Sequence, residues 1–276
     1  MRRFAVLGHP INHSFSPVMH TASFRSIGFD GEYTRLDVPP EMLGDALRAL
    51  SAEGFSGVNL TIPHKQLALP MMDALTPEAQ RLGAVNTVRF EEGGKLSGHN
   101  TDGPGFLAAA KATLGFDPAG RRVAVVGCGG AGRAVAITLA HAGAQVGLLD
   151  IDRDRAEALA EEIRGSGREA AVIDRAQIRD ADLIAQCSPS GLAIFPEPAV
   201  RAEEMRPGQA LYDIVIPPGD PVTPTMKEAR TLGIPCANGV RMLVEQGALS
   251  FTYWTGLEAD RAAMLRAVEE GLARHE

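Results

Sequence analysis

The chain has 276 residues, of which 45% are hydrophobic and 22% are charged, and it carries a formal net charge of −7 at pH 7. This length accommodates one large or two medium globular domains, whereas an acidic balance without a basic run argues against a nucleic-acid surface. No apolar stretch approaches the ~18 residues of a membrane span. The three cysteines lie far apart, at 128, 187 and 236, which argues against a disulfide framework or a zinc site and fits a reducing cytoplasm.

Strand and helix patterns alternate along the first part of the chain. Short apolar runs predict strands at residues 4–8, 32–38 and 57–62. Amphipathic segments predict helices at residues 17–28 and 41–54, the first with Ser16 as its N-cap and Pro17 at its first position. A β-hairpin is predicted at residues 84–102, with its turn at 91–94.

The alternation starts again near residue 121. Further strands are predicted at residues 121–127, 144–150, 181–187 and 210–216, and helices after the first of them and at 153–165. Such alternation implies parallel sheets covered by helices, hence an α/β fold. We predict two domains, one formed by residues 1–102 plus 240–276 and the other by residues 103–239. The C-terminal segment has no strand to follow, so it is expected to pack back on the first domain.

A glycine-rich motif opens the helix that follows the strand at 121–127. Its positions form a G-x-G-x-x-G pattern: Gly127, Gly129, Gly130, Ala131 and Gly132. The first glycine of such a pattern allows a tight turn, the second lets backbone N–H groups approach a pyrophosphate, and the third allows close helix–strand packing. The next strand ends in Asp150, near the ~20-residue offset of a ribose-binding acid. This order predicts NAD or NADP binding and a hydride-transfer enzyme, although a glycine-rich turn without a cofactor is the alternative.

The histidines do not form a metal-binding pattern. Those at positions 9, 13, 64 and 99 lie on different predicted elements and lack the spacing that would place two of them on one helix face. We therefore predict no metal site.

Several motifs resemble those of the shikimate dehydrogenase family. They occupy residues 8–17, 59–65, 83–87, 100–106, 242–248 and 254–256, so the resemblance runs from about residue 4 to about residue 256. It implies an N-terminal substrate domain and a Rossmann nucleotide domain with the active site in the cleft between them. It also implies the reversible NAD(P)-dependent reduction of 3-dehydroshikimate to shikimate, a step toward chorismate and aromatic amino acids.

The resemblance implies that Lys65 and Asp102 are the catalytic pair that brackets the reacting hydroxyl. A lysine after a strand is otherwise a solvated surface charge, and an aspartate at a helix start is otherwise an N-cap. The family's substrate contacts fall on Ser14, Ser16, Thr61, Asn86 and Gln246. Ser14 and Ser16 would bind the shikimate carboxylate at a helix N-terminus, with a helix cap as the alternative for Ser16.

Implied nucleotide contacts outside the glycine-rich turn are Arg155, Gly239 and Met242. Asp150 favours NAD over NADP, because a carboxylate there accepts hydrogen bonds from a ribose 2′-hydroxyl and repels a 2′-phosphate. Ile216 stands where the family often has a tyrosine, which removes one accessory substrate contact. Two alternatives to the shikimate dehydrogenase function stay open: an NAD-dependent quinate/shikimate dehydrogenase and a catalytically silent shikimate-binding sensor. A monomer or a homodimer is expected.

Overall fold

The computed structural model describes residues 1–12, 14–192, 194–217 and 221–274. The chain forms two compact units, one of Met1–Gly105 with Val244–Gly271, the other of Phe106–Leu243 with the described residues from Leu272 onward. In sequence order, segments of the first unit therefore come both before and after residues 106–243 of the second unit. None of the described helices is long and apolar enough to cross a membrane.

The first unit contains a six-stranded sheet in the order β2-β1-β3-β5-β6-β4. Its strands are β1 (Arg2–Gly8), β2 (Gly31–Asp37), β3 (Gly57–Leu60), β4 (Ala74–Leu75), β5 (Thr87–Phe90) and β6 (Leu96–His99). Strand β1 runs parallel to β2 and β3, whereas β5 runs antiparallel to β3 and β6. The helices of the N-terminal stretch are α1 (Ser16–Ser26), α2 (Leu43–Ala52), α3 (His64–Leu67) and α4 (Pro77–Leu82).

Apolar periodicity explains how this sheet is covered. Helix α2 buries Leu43, Leu47 and Leu50, whose spacing places them on one helical face. They belong to the same core cluster as Leu7 of β1 and Val58 of β3. Burying such side chains removes apolar surface from water and contributes roughly 1.5–3 kcal/mol for each one.

The second unit contains a parallel six-stranded sheet in the order β12-β11-β10-β7-β8-β9. Helix α5 (Asp102–Leu114) leads from the first unit into it. The strands are β7 (Arg122–Val126), β8 (Gln145–Leu149), β9 (Ala170–Val172), β10 (Leu183–Gln186), β11 (Ala210–Asp213) and β12 (Cys236–Ala237). The connecting helices are α6 (Gly130–His141), α7 (Arg153–Gly165) and α8 (Pro224–Thr231). After β9 the chain returns to β10 beside β7, so the carboxyl ends of β7 and β10 flank the topological switch point, where such sheets bind ligands.

The chain ends in α9 (Val240–Thr255) and α10 (Arg261–Ala273). Trp254 of α9 donates its Nε1 hydrogen to the carbonyl oxygen of Val88, at 2.9 Å. A Cβ atom on Gly57 would lie only 2.4 Å from the Trp254 ring, so this approach requires glycine. The C-terminal segment thus packs against the sheet of the first unit, as the sequence predicts.

The α/β fold predicted from the sequence is confirmed, but the predicted start of α1 is wrong. Phe15 occupies the N-cap position without a side-chain cap hydrogen bond, and Ser16 is already helical. The reason is local, because the Ser14 Oγ accepts the Ser16 backbone N–H at 3.3 Å and so satisfies a free donor of the first turn. Pro17 therefore lies at the second helical position.

Candidate active site

Lys65 and Asp102 form an ion pair in the first unit. The Lys65 Nζ lies 2.7 Å from the Asp102 Oδ2. Lys65 stands in the short helix α3 after β3, and Asp102 is the first residue of α5. The side chains are 24% and 9% exposed, so the lysine is the more accessible member of the pair. The sequence-based alternatives of a solvated lysine and a capping aspartate do not describe this geometry.

The Asp102 carboxylate is fixed by neighbours on both sides. Its Oδ1 accepts a hydrogen bond from the Asn86 Nδ2 at 2.9 Å. Its backbone N–H donates to the Asn100 Oδ1 at 2.9 Å. Because one carboxylate oxygen holds Asn86 and the other holds Lys65, the ammonium group has a defined position. Such fixed orientation is what proton transfer to a reacting oxygen requires.

A buried polar network lies behind Asn86. The Asn86 Oδ1 accepts hydrogen bonds from the Thr101 backbone at 2.9 Å and from the Thr87 hydroxyl at 2.9 Å. The Thr87 hydroxyl lies 2.8 Å from the Ser250 Oγ, which accepts from the Asn59 Nδ2 at 3.0 Å. A fully satisfied network of this kind specifies one arrangement of its members.

The network continues to Tyr33, whose hydroxyl donates to the Asn59 Oδ1 at 2.7 Å. Burial raises the pKa of the Tyr33 phenol well above its ordinary value, against a hydrogen bond with Ser16 that lowers it. The sequence predictions did not include Tyr33, Asn59 or Ser250. The local signals were the position of Asn59 at the start of the family motif at residues 59–65, and the position of Ser250 on the face of α9 that carries Gln246.

The remaining predicted substrate residues also lie in the first unit. Ser14 and Ser16 are joined by their hydrogen bond at the start of α1. Thr61 follows β3, and a Cβ atom on Gly8 would lie 2.6 Å from its methyl group. A Cβ atom on Gly105 would lie 2.8 Å from the Gln246 Cβ, so α5 and α9 approach closely at this point. Direct hydrogen bonds join Lys65, Asp102 and Asn86, and the Ser250 hydroxyl of the network behind Asn86 donates to the Gln246 carbonyl oxygen at 3.0 Å.

The glycine-rich turn of the second unit has the geometry of a phosphate cradle. Gly127 adopts a φ of 94°, which favours glycine. A Cβ atom on Gly132 would lie 1.8 Å from the Gly127 carbonyl oxygen, so helix α6 packs closely on the turn. Side chains at Gly129 and Gly130 would meet no atom within 4 Å, which leaves open space at the N-terminus of α6. These residues fit a dinucleotide pyrophosphate.

Asp150 supports the same turn. Its Oδ2 accepts the Cys128 backbone N–H at 2.6 Å, and its Oδ1 accepts the Asp152 N–H at 2.9 Å. Its side chain is 5% exposed, and the Arg155 Nη1 lies 3.5 Å away. Burial, together with Asp150, raises the pKa of the Cys128 thiol to about 12, so this cysteine is not a nucleophile at neutral pH.

Gly239 and Met242 have structural contacts of their own. A Cβ atom on Gly239 would lie 2.1 Å from the Ile214 carbonyl oxygen, so the close backbone approach requires glycine. Met242, on α9, is buried with 8% exposure. Their predicted nucleotide contacts remain predictions.

The histidines have separate environments. His9 lies 2.6 Å from Asp37, His99 lies 2.8 Å from Thr76, and His64 is fully buried. His13 lies outside the described residues. Within the described ranges, no group of three or more metal-ligating side chains is found.

A cavity of about 540 Å³ lies along β7, β8 and β9 in the second unit. It includes Arg122 and Gln145, the first residues of β7 and β8, and none of the predicted site residues. Parallel sheets bind ligands at the opposite, carboxyl ends of their strands. We therefore do not place the active site in this cavity.

Three protein-family models match the chain. Residues 122–188 match the 3-hydroxyacyl-CoA dehydrogenase NAD binding domain. Residues 6–88 match the shikimate dehydrogenase substrate binding domain, and residues 239–269 match the shikimate 5′-dehydrogenase C-terminal domain.

Individual proteins match over nearly the full chain. A shikimate dehydrogenase (NADP(+)) from Methanopyrus kandleri is 42% identical over 97% of this chain and 94% of its own length. The structure of Thermus thermophilus shikimate 5-dehydrogenase in complex with NADP(H) and shikimate is 43% identical, covers 98% of this chain and 99% of that chain, and has a TM-score of 0.89. Quinate dehydrogenase from Corynebacterium glutamicum in complex with NAD is 33% identical, covers 98% of this chain and 99% of that chain, and has a TM-score of 0.87.

The parallel sheet, its glycine-rich turn and these matches define the class: an NAD(P)-dependent oxidoreductase that acts on a CH–OH group. Within that class, the chain belongs to the shikimate dehydrogenase family. The resemblance stated from the sequence motifs is thereby confirmed.

Proposed function

We propose that this protein catalyses the reversible NAD(P)-dependent reduction of 3-dehydroshikimate to shikimate, with Lys65 and Asp102 handling the proton. The observation that carries this proposal is the 2.7 Å ion pair between the Lys65 Nζ and the Asp102 Oδ2, supported by Asn86. A protein that only bound shikimate would not need a lysine and a carboxylate held together in this way. The names of the Methanopyrus and Thermus relatives support the same substrate.

Bound nicotinamide supplies the hydride for the substrate carbonyl carbon in the reducing direction. The carbonyl oxygen then gains negative charge, and the Lys65 ammonium group stabilises it and donates a proton. Asp102 orients the Lys65 ammonium group and accepts a hydrogen bond from the hydroxyl that forms. In the reverse direction the neutral Lys65 amine takes the proton from the substrate hydroxyl as the hydride leaves the carbon.

The polar side chains of the first unit would orient the substrate. Ser14 and Ser16, at the start of α1, suit the carboxylate, because hydroxyls and free backbone N–H groups at a helix N-terminus bind anions. Asn86, Thr61 and Gln246 suit the ring hydroxyls, since amides and hydroxyls both donate and accept hydrogen bonds.

We further propose that the protein prefers NAD to NADP. Asp150 lies at the end of β8, where the adenosine ribose of a dinucleotide is expected, and Asp152 lies two residues beyond. A 2′-phosphate would bring roughly −1.5 to −2 charges beside these carboxylates, and after screening the penalty is about 1–3 kcal/mol, or about 5–150-fold. Arg155 opposes this effect, but its guanidinium already lies 3.1 Å from Asp152 and 3.5 Å from Asp150. The name of the Methanopyrus relative specifies NADP, so this preference would set the present chain apart from it.

The test is a matrix of kcat/KM values for shikimate and quinate, each with NAD and with NADP. We expect shikimate with NAD to give the highest value in the wild type, and Asp150→Asn to improve the use of NADP. Asparagine keeps an acceptor oxygen for the Cys128 N–H, but its NH₂ group then faces the Asp152 N–H, so the Tm of this variant is measured together with its kinetics. Asp154→Asn, in the first turn of α7, removes a nearby charge and serves as the control.

Each arm of the matrix has an outcome that contradicts its proposal. If shikimate is not turned over with either nucleotide, the catalytically silent shikimate-binding sensor becomes the favoured function. A higher efficiency with quinate would favour the quinate/shikimate dehydrogenase. A wild-type preference for NADP of about tenfold, or about 1.4 kcal/mol, would reject the NAD proposal. An Asp150→Asn variant with unimproved NADP use would reject it as well.

A further inference from the structure

A buried glutamine closes the loop that follows β10. The Gln186 side chain is inaccessible to solvent. Its Nε2 donates to the carbonyl oxygens of Ser188 at 3.0 Å and Ser190 at 3.1 Å. Its Oε1 accepts from both the backbone N–H and the hydroxyl of Ser188, each at 2.7 Å. One amide thus fixes the backbone of residues 187–190.

A buried carboxylate stands beside this glutamine. Asp213 is the direct partner of Gln186 in the β10–β11 ladder, and its Oδ1 lies 3.5 Å from the Gln186 Nε2. Its Oδ2 accepts from the Thr223 hydroxyl at 2.6 Å, and its Oδ1 accepts from the Val215 N–H at 3.1 Å. Burial raises the pKa of Asp213 to about 6, against these three hydrogen bonds, which lower it. Burying a carboxylate is costly unless its hydrogen bonds are satisfied, so this cluster restrains the chain at the ends of two strands.

The restrained loop lies against the glycine-rich turn. The Cys187 N–H donates to the Val126 carbonyl oxygen at 2.7 Å. A Cβ atom on Gly127 would lie 2.6 Å from the Ser188 nitrogen, so the two backbones are in contact. This contact is at the switch point between β7 and β10.

The sheet order assigns the two sides of the switch point to different halves of a dinucleotide. Asp150, at the end of β8, lies on one side of β7 and is the expected ribose-binding acid of the adenosine half. Strands β10 and β11 lie on the other side of β7. A dinucleotide whose pyrophosphate rests on the glycine-rich turn therefore extends its nicotinamide half toward the loop after β10.

We propose that Gln186 and Asp213 are positioning residues for the nicotinamide half of the cofactor, which hold the loop of residues 187–190 in place without touching the ligand themselves. This inference rests on the nucleotide site of the proposed function and adds residues that determine its shape. In a well-aligned site, a displacement of about 1 Å is enough to lower the reaction rate roughly 10²-fold.

The test separates the two halves of the cofactor. Gln186→Met keeps the length of the side chain and removes every hydrogen bond. We expect the Kd of NADH or NADPH, measured by fluorescence titration, to rise about 10–100-fold. The Kd of ADP or 2′,5′-ADP, which carry only the adenosine half, should change by less than about threefold. Loss of fold alone would weaken both classes of ligand together.

Gln209→Met is the matched control. Gln209 is also buried, precedes β11 at its amino end, and donates to the carbonyl oxygens of Ile178 at 2.8 Å and Ala181 at 2.9 Å. Its replacement should lower Tm to a similar extent, because a comparable number of buried groups loses its partners. It should leave the affinity for NADH unchanged.

Asp213→Asn provides a second, milder variant of nearly the same shape. With the amide oxygen kept toward Val215 and Gln186, the NH₂ group faces the Thr223 hydroxyl, which must accept a hydrogen bond there instead of donating one. We expect weaker NADH binding with unchanged ADP binding here too. Wild-type-like NADH affinity in both Gln186→Met and Asp213→Asn would overturn the proposal, and so would equal losses for NADH and ADP. A wild type that binds neither NADH nor NADPH would instead contradict the proposed function.

Discussion

At the residue scale, the accessible end of the Lys65–Asp102 pair is the lysine. Asp102 is held from behind by Asn86 and Asn100, so a substrate oxygen approaching the pair meets the ammonium group first. The ion pair also places the negative charge of the Asp102 carboxylate next to the partly buried Lys65 ammonium group. In the proposed reaction, this pair would hold the reacting proton at a defined place, and the rest of the network would orient the pair.

We expect Lys65→Ala to lower kcat about 10²–10⁴-fold, the usual contribution of a positioned proton donor or acceptor. Nucleotide affinity should not change, because Lys65 lies in the first unit and the glycine-rich turn in the second. Steady-state kinetics and NADH titration measure the two effects. Lys111→Ala, an exposed lysine on α5, is the control and should behave as the wild type. A Lys65→Ala enzyme within a few-fold of wild-type kcat would remove Lys65 from the mechanism.

The sequence motifs name the residues that are proposed to contact substrate, but they do not name the residues that support them. Lys65, Asp102 and Asn86 stand in recognisable motifs, and direct hydrogen bonds join them in the fold. Ser250 shares a face of α9 with Gln246, but its partners could not be predicted, because they lie far from it in the sequence. Its role appears only when the C-terminal helix packs on the sheet and brings it to Asn59 and Thr87.

At the scale of single elements, the start of α1 is the feature that decides between binding and capping. Ser14 accepts the Ser16 N–H, yet Ser16 has no capping bond of its own at this helix end. Ser16 is 7% exposed, and its side chain forms a hydrogen bond with Tyr33. Both hydroxyls remain candidates for the substrate carboxylate.

Converting Ser14 and Ser16 together to alanine should raise KM for shikimate far more than it lowers kcat. The carboxylate that these serines are proposed to bind is remote from the reacting carbon, so its loss removes binding without changing the chemical step. Steady-state kinetics with shikimate checks this split. If the double variant chiefly loses Tm and keeps its KM, the serines stabilise the helix start and nothing more.

Helix α7 and the hairpin were predicted from the sequence, whereas helix α8 and the shortest strands were not. Helix α7 and the hairpin turn at Glu92–Gly94, where Gly93 has a φ of 73°, follow directly from the helical period and the glycines. Strands β4, β9 and β12 have two or three residues each, too few for any period to appear. Strand β11 ends at Asp213 rather than at 216, because Asp213 turns its carboxylate onto the backbone of Val215.

At the scale of the whole molecule, a buried histidine links stability to pH. His20 is fully buried and stacks on Tyr33 with ring centroids 4.3 Å apart. Neither of its ring nitrogens has a hydrogen-bond partner among the described residues. Burial lowers its pKa from 6.5 to about 3. Between these two pH values His20 is protonated in the unfolded chain but stays neutral in the folded chain. The free energy of unfolding therefore falls as the pH falls below 6.5.

We expect His20→Phe to reduce this loss of stability on acidification. The variant keeps an aromatic ring against Tyr33 and removes the titrating group. Urea unfolding at pH 7.5 and pH 5 should show a pH-dependent loss smaller than that of the wild type by on the order of 2 kcal/mol. Asp213, whose pKa is raised to about 6, acts in the opposite direction but is the same in both proteins. An identical pH dependence in the variant would contradict this account.

The interrupted course of the first unit has a consequence for the order in which the protein matures on the ribosome. Residues 106–243 emerge as one continuous stretch, whereas the first unit must wait for Val244–Gly271. Most of the second unit can therefore fold before the first unit is complete, although the described residues from Leu272 onward join the second unit last. The only tryptophan, Trp254, arrives with that late segment, donates to Val88 and accepts a hydrogen bond from Arg2. Its intrinsic fluorescence is thus a built-in reporter of the moment at which the two ends of the first unit join.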